Sequence, residues 1–155
     1  MRYKLISCEI LYREVCYVTA RARHQIDLKF LPKQLHDIGN EKMLQKLNEA
    51  KNQVDESQYD AILLGYGLCN NGVIGLQAGS VPMVIPRAHD CITLFLGSQQ
   101  KYLDYFHAHP GAYYMTSGWI ERGSDWTQTD NIMQHQCGMG MSYQDLVEKY
   151  GEANA

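Results

Sequence analysis

Ala61-Ile-Leu-Leu64 is apolar at four successive positions and is ended by Gly65, the pattern of a strand covered on both faces. Strands of that kind belong to parallel sheets, whose crossover connections lay helices over them, so this short run favours an α/β fold over a sandwich or a bundle. The rest of the chain alternates its apolar period accordingly. Tyr3 to Ile10 reads as a first strand and Ile10 to Arg23 as an amphipathic helix. Gln25 to Leu31 alternates through Ile26, Leu28 and Phe30 and halts at Pro32, a second strand with edge character. Asn40 serves as N-cap to a helix in which Met43, Leu44, Leu47, Ala50 and Val54 recur at helical spacing. After the third strand, a short glycine-rich helix from Gly72 to Ala78 leads to a fourth at Met83-Val-Ile85. Ile92, Phe95, Leu96, Leu103 and Phe106 mark one longer helix, and Ala112-Tyr-Tyr-Met115 a fifth strand. The expected architecture is a doubly wound, mostly parallel sheet in the flavodoxin-like order 2-1-3-4-5, with helices on both faces. An α/β domain then spans 1–121. The remainder, 122–155, is an irregular segment and a final helix opened by Ser142-Tyr-Gln-Asp145, truncated or docked elsewhere.

Parallel strands put all their carboxyl ends in one crevice, and three cysteines stand just beyond three such ends. Cys8 follows the first strand, Cys69 the third and Cys91 the fourth. Three soft ligands far apart in sequence thus arrive together. In Arg87-Ala-His-Asp-Cys91 the imidazole of His89 lies two residues before the thiol, so an extended backbone points both the same way. Three thiolates with an imidazole suit Zn²⁺, with His89 as fourth ligand; the same cysteines could instead hold a [4Fe–4S] cluster with one iron open. Zinc is preferred because of the His-x-Cys pair. Cys16, within the first helix, and Cys137, in the irregular tail, read as structural.

Composition narrows the function classes. The chain has 155 residues, a net charge of −3 and no basic block, which argues against nucleic acid and anionic membranes. No apolar run approaches the ~20 residues of a membrane span. Five cysteines at irregular spacing, with no CxxC pair, are unlike a secreted disulfide framework, so reduced thiols and a cytoplasmic setting are expected.

Polar neighbours of the three cysteines supply further candidates. Glu9 could act as general base or support the ligand beside it. Arg87 could pair with a substrate carboxylate, and Asp90 could orient His89, although either also suits a plain ion pair. In Gly65-Tyr-Gly-Leu-Cys-Asn-Asn-Gly72 the backbone around Gly67, Asn70 and Asn71 could surround an anion, while the spacing departs from a nucleotide fingerprint. Tyr113, Tyr114 and Trp119 are expected to pack the sheet edge or a partner.

Five stretches carry a resemblance. They are Cys8-Glu-Ile-Leu-Tyr-Arg-Glu-Val-Cys16, Leu35-His-Asp37, Tyr59 through Gly72, Pro86-Arg-Ala-His-Asp-Cys-Ile-Thr-Leu-Phe-Leu-Gly-Ser98 and Pro110 through Glu121. Together they resemble the prokaryotic family called domain of unknown function 1638. That family has no settled activity, and the resemblance implies, by association alone, anaerobic one-carbon metabolism near corrinoid-dependent methyltransferases. The resulting expectation is a metal-binding protein in which zinc activates a small-molecule thiol for methyl transfer from a corrinoid protein. Two alternatives stand beside it: a non-catalytic accessory handling metal or corrinoid, and an iron–sulfur electron carrier or activator. Oligomerisation is open in each case.

Overall fold

The computed structural model describes residues 1–33, 35–69, 71–122 and 143–152. The chain divides into two compact units, Met1–Ser124 and Asp125–Ala155. The first contains a four-stranded, all-parallel sheet in the order β2-β1-β3-β4. Its strands are β1 (Arg2–Cys8), β2 (Gln25–Leu31), β3 (Ala61–Gly65) and β4 (Met83–Val84). Cys8 pairs with Leu31 and Ser7 with Gly65, so these three strands end level with one another. Between β1 and β2 lie a single 3₁₀ turn, Glu9–Leu11, and α1 (Tyr12–Thr19); between β2 and β3 lies α2 (Asn40–Asn52). Beyond β4 come α3 (Cys91–Leu96), α4 (Gln99–Ala108) and α5 (Ser117–Glu121), and the second unit contains α6 (Tyr143–Tyr150).

The core follows from apolar spacing. Met43, Leu47 and Ala50 share one stripe of α2 and are all buried, Met43 and Leu47 to 1% exposure. Burial of such a side chain contributes roughly 1.5–3 kcal/mol. Met43 and Leu47 pack with Leu35, Tyr66 and Val73, whereas Ala50 joins Ile6, Ile62 and Leu64 of the sheet centre. At the amino ends of the strands, Asp27 accepts from the Arg2 guanidinium at 2.6 Å and from the Tyr59 hydroxyl at 3.0 Å. That end is closed by polar pairing, and the chemistry-bearing residues gather at the other.

Several expectations need correction. Ala112–Met115 joins no sheet, with Tyr113 85% exposed, so the five-strand order reduces to the four strands observed among the described residues. The reason lies in β4, which is two residues long and bounded by Pro82 and Pro86; proline has no N–H to offer a further strand. Residues 72–78 form turns and irregular backbone with no helix. The expected helix from Ile92 to Phe106 is two helices, because Gly97 adopts the left-handed conformation (φ 76°) and Ser98 caps α4 by accepting from Lys101 N–H at 3.0 Å. Gly39 occupies the N-cap of α2 and Asn40 is its first residue. Helical backbone after β1 stops at Thr19, short of Arg23. Trp119 lies on α5, a helix that periodicity did not indicate. Among the described residues no helix is long and apolar enough to cross a membrane.

Candidate functional site

Cys8 is the last residue of β1, and its extended backbone (φ −64°, ψ 135°) turns the chain into the 3₁₀ turn. Cys69 lies four residues past β3 in a left-handed conformation (φ 45°), sparsely populated for a residue with a Cβ. The loop that bears it runs beside the loop before Cys91: Leu68 N–H donates to the Ala88 carbonyl at 2.9 Å and Cys69 N–H to the His89 carbonyl at 3.0 Å. Gly67 makes this approach feasible, since a Cβ there would lie 2.8 Å from the Asp90 Cα. Cys91 opens α3 directly after its N-cap, Asp90, whose carboxylate accepts from Thr93 N–H at 2.9 Å and from the Thr93 hydroxyl at 3.1 Å.

These three cysteines line one cavity of about 20 Å³, room for a single water-sized sphere. Its remaining walls are Ile10, Lys33, Leu35, Met43, Tyr66 and Trp119. Burial governs the thiols. It pushes Cys8 up to about 12, opposed by the Ile10 N–H and reinforced by Cys91, Cys69 and Glu9. Cys91 also reaches about 12, first through burial and then through Cys69 and Asp90. Cys69 is raised by burial as well, against the Gly67 backbone. Each cysteine feels at least one of the others or their shared neighbour Asp90, as groups around one point must. In the absence of a cation the three are neutral thiols. Among the described residues, no group of three or more His, Cys, Asp or Glu side chains stands ready to hold a metal as placed.

Two lining groups have unusual surroundings. The Tyr66 hydroxyl is buried with the Cys8 side chain as its polar neighbour, and burial first, then Cys8, Cys69 and Glu9, raise its pKa well above the usual value. Lys33 donates from Nζ to the Trp119 carbonyl at 2.7 Å and lies 5.1 Å from the Trp119 ring centre. Burial lowers its pKa, while Glu9 and Cys8 act in the opposite direction.

The other sequence candidates lie outside this lining. His89 has a side chain 69% exposed, its Nδ1 3.0 Å from an Asp90 carboxylate oxygen and its ring stacked toward Tyr102. The His-x-Cys argument assumed extended backbone through Cys91, but the helix begins there, so the two side chains diverge. Asp90 does contact His89, and it also caps α3; burial alone would raise its carboxyl, yet the Thr93 N–H, His89 and the Thr93 hydroxyl outweigh this and hold it low. Glu9 is 14% exposed and is occupied by Lys33 N–H at 2.9 Å and by Arg122 at 3.9 Å. Arg87 is exposed. Gly67 packs against Asp90, and Asn71 (φ 63°) turns the chain, its carbonyl accepting from Ile74 N–H at 3.0 Å. Asn70 and Cys137 lie outside the described residues. Cys16 is half-buried on α1 and away from the cavity.

Sequence reasoning missed Lys33 and Tyr66 and misassigned Trp119. The rule that found the cysteines also reaches the first two, since Lys33 follows β2 by two residues and Tyr66 follows β3 directly. A sequence model described as Protein of unknown function (DUF1638) matches residues 30–153. The chain belongs to the DUF1638 family. Within this DUF1638 protein the match includes Cys69, Cys91, Lys33, Tyr66 and Trp119, while β1 and Cys8 precede it. No curated protein and no solved structure matches the chain.

Proposed function

We propose that Cys8, Cys69 and Cys91 act as one ligand set for a single metal ion, zinc in the first instance, and that the ion serves to activate a small-molecule thiol. One observation carries this reading: thiols from three separate strand ends line one cavity with room for one water-sized sphere. The size favours a mononuclear ion over a four-iron cluster, which is far larger than a water. Rotation about χ1 between staggered wells moves a cysteine sulfur by roughly 3 Å, so loading the site would call for side-chain rotation from the placement seen here.

Charge and hydrogen bonding support the same reading. Three thiolates around Zn²⁺ leave one net negative charge, and Lys33 is the cation among the lining residues. A thiolate accepts a hydrogen bond far better than a thiol does, so a loaded site would strengthen the contact of the Tyr66 hydroxyl with the Cys8 sulfur. An ion held by three protein ligands keeps a position for an incoming group. A thiol bound there would lose its proton to solvent and, as thiolate, could take the methyl group of a methyl-corrinoid, the S–C bond forming as the Co–C bond breaks and the corrinoid leaving as Co(I). His89 has no part in the ligand set proposed here, given its exposure.

Competition with a chelator of known zinc affinity, under anaerobic conditions, tests the proposal. Wild-type protein is expected to hold one zinc per chain, and Cys8→Ser, Cys69→Ser and Cys91→Ser each to lose it, because a hydroxyl is a poor substitute for thiolate on a borderline ion. Cys16→Ser is expected to retain it. Wild-type protein that takes up no zinc ends this reading. For a protein that does bind, turnover of methyl-corrinoid with thiols separates an enzyme from an accessory.

A further inference from the structure

Three thiols line the cavity with no carboxylate or imidazole, and apart from Lys33 the other walls are apolar or aromatic. Charge decides what such a place holds. Three thiolates around a divalent ion leave a net negative charge, which a desolvated cavity disfavours unless a cation stands beside it. Three thiolates around a trivalent centre leave no charge. We infer that the cavity also captures trivalent arsenic, supplied as the uncharged hydroxide As(OH)3, as a neutral tris-thiolate complex of Cys8, Cys69 and Cys91. The inference rests on the reading that the three cysteines act as one ligand set, and differs from it in the element bound and in the charge of the product.

The exchange is As(OH)3 + 3 Cys–SH → As(S–Cys)3 + 3 H2O. Three S–H and three As–O bonds break, and three As–S and three O–H bonds form. Arsenic stays trivalent, and no proton or electron is left over. A neutral hydroxide sheds no ionic hydration on entering an apolar cavity, unlike a divalent cation. Three-coordinate arsenic is pyramidal, with a lone pair in the fourth direction, so it needs one central position and no fourth ligand. A cavity of about 20 Å³ provides that single position. Lys33, which also faces the Glu9 carboxylate, then separates the two occupants, since a zinc complex adds a negative charge for it to offset and the neutral arsenic complex adds none.

The test exposes wild-type protein and the Cys8→Ser, Cys69→Ser, Cys91→Ser and Lys33→Met variants anaerobically to one equivalent of arsenite or of zinc. Intact mass reads the product, and tryptophan fluorescence follows occupancy because Trp119 lines the cavity. Wild-type protein is expected to gain one arsenic atom and lose three hydrogens, a result that needs no variant to fold. Each serine variant is expected to lose this product, and Lys33→Met to keep full arsenic uptake while its zinc affinity falls about tenfold. Uptake of arsenic without zinc supports the inference and removes zinc from the proposed function. Uptake of zinc without arsenic overturns the inference alone. Loss of only two hydrogens in wild-type protein overturns the three-thiol assignment, and uptake of neither probe overturns both readings through their shared premise.

Discussion

Replacing Gly67 by alanine probes the contact that holds two of the three cysteine loops together. The added Cβ would lie 2.8 Å from both Cα and N of Asp90 and 3.0 Å from the Ala88 carbonyl oxygen. All three obstacles are backbone, so no side chain can swing aside, and the two loops must part by about 1 Å to restore ordinary contact near 3.5–4.0 Å. Overpacking of that kind costs roughly 1–3 kcal/mol. The separation also stretches the 2.9 Å and 3.0 Å hydrogen bonds from Leu68 and Cys69 beyond useful length. Each such bond contributes about 1 kcal/mol. A total near 4 kcal/mol, divided by a urea slope of about 2 kcal/mol/M, lowers the unfolding midpoint by roughly 2 M. Gly111→Ala is the control, because a Cβ there meets nothing within 4 Å, and it is expected to stay within about 0.5 kcal/mol of wild type. Urea melts of metal-free protein decide the matter: a Gly67→Ala midpoint equal to wild type, or an equal loss in Gly111→Ala, refutes the argument.

The raised thiols and the buried Tyr66 hydroxyl give two more expectations. Cys8 and Cys91 keep their protons to about pH 12 in the folded chain against an ordinary 9.0, so the folded state binds more protons between those values. Their contribution to stability is therefore complete below pH 9 and declines toward pH 12, on the order of 1 kcal/mol per pH unit for each thiol; a Cys8→Ala variant with the same alkaline slope as wild type in urea melts would contradict this. Tyr66→Phe removes a buried hydroxyl whose polar neighbour is Cys8, so the metal-free variant is expected to stay within about 1 kcal/mol of wild type while zinc affinity falls about tenfold. Thermal melts with and without zinc read both effects, and a zinc-dependent shift equal to that of wild type would refute the role given to the hydroxyl.

The sheet was legible where one physical cause dominated. Continuous apolar character marked β3, alternation stopped by Pro32 marked β2 to the residue, and apolar spacing placed the buried stripe of α2. Errors arose where a local signal competed with periodicity. Gly97 and Ser98 divide the apolar run from Ile92 to Phe106 because a left-handed glycine and a serine cap outweigh a stripe that would otherwise continue. Ala112-Tyr-Tyr-Met115 read as a strand from its apolar character, but apolar character creates no strand without an edge that has N–H groups to offer. At the site, the carboxyl ends of parallel strands sufficed to gather Cys8, Cys69 and Cys91. His89 was misplaced because Asp90 and Thr93 together signal a helix start, and that signal was read as extended chain. Nothing in the sequence marks the Tyr66 hydroxyl as buried beside Cys8, since burial depends on every neighbour at once.

Cobalt(II) substituted into the metal-free protein tests the central claim most directly, because its absorption reports both ligand type and geometry. The account predicts one cobalt per chain, visible bands of tetrahedral intensity, and a sulfur-to-cobalt charge-transfer band with the strength of three thiolates, lost or reduced in Cys8→Ser, Cys69→Ser and Cys91→Ser alike. A pale spectrum of octahedral, water-bound cobalt with no charge-transfer band would contradict it.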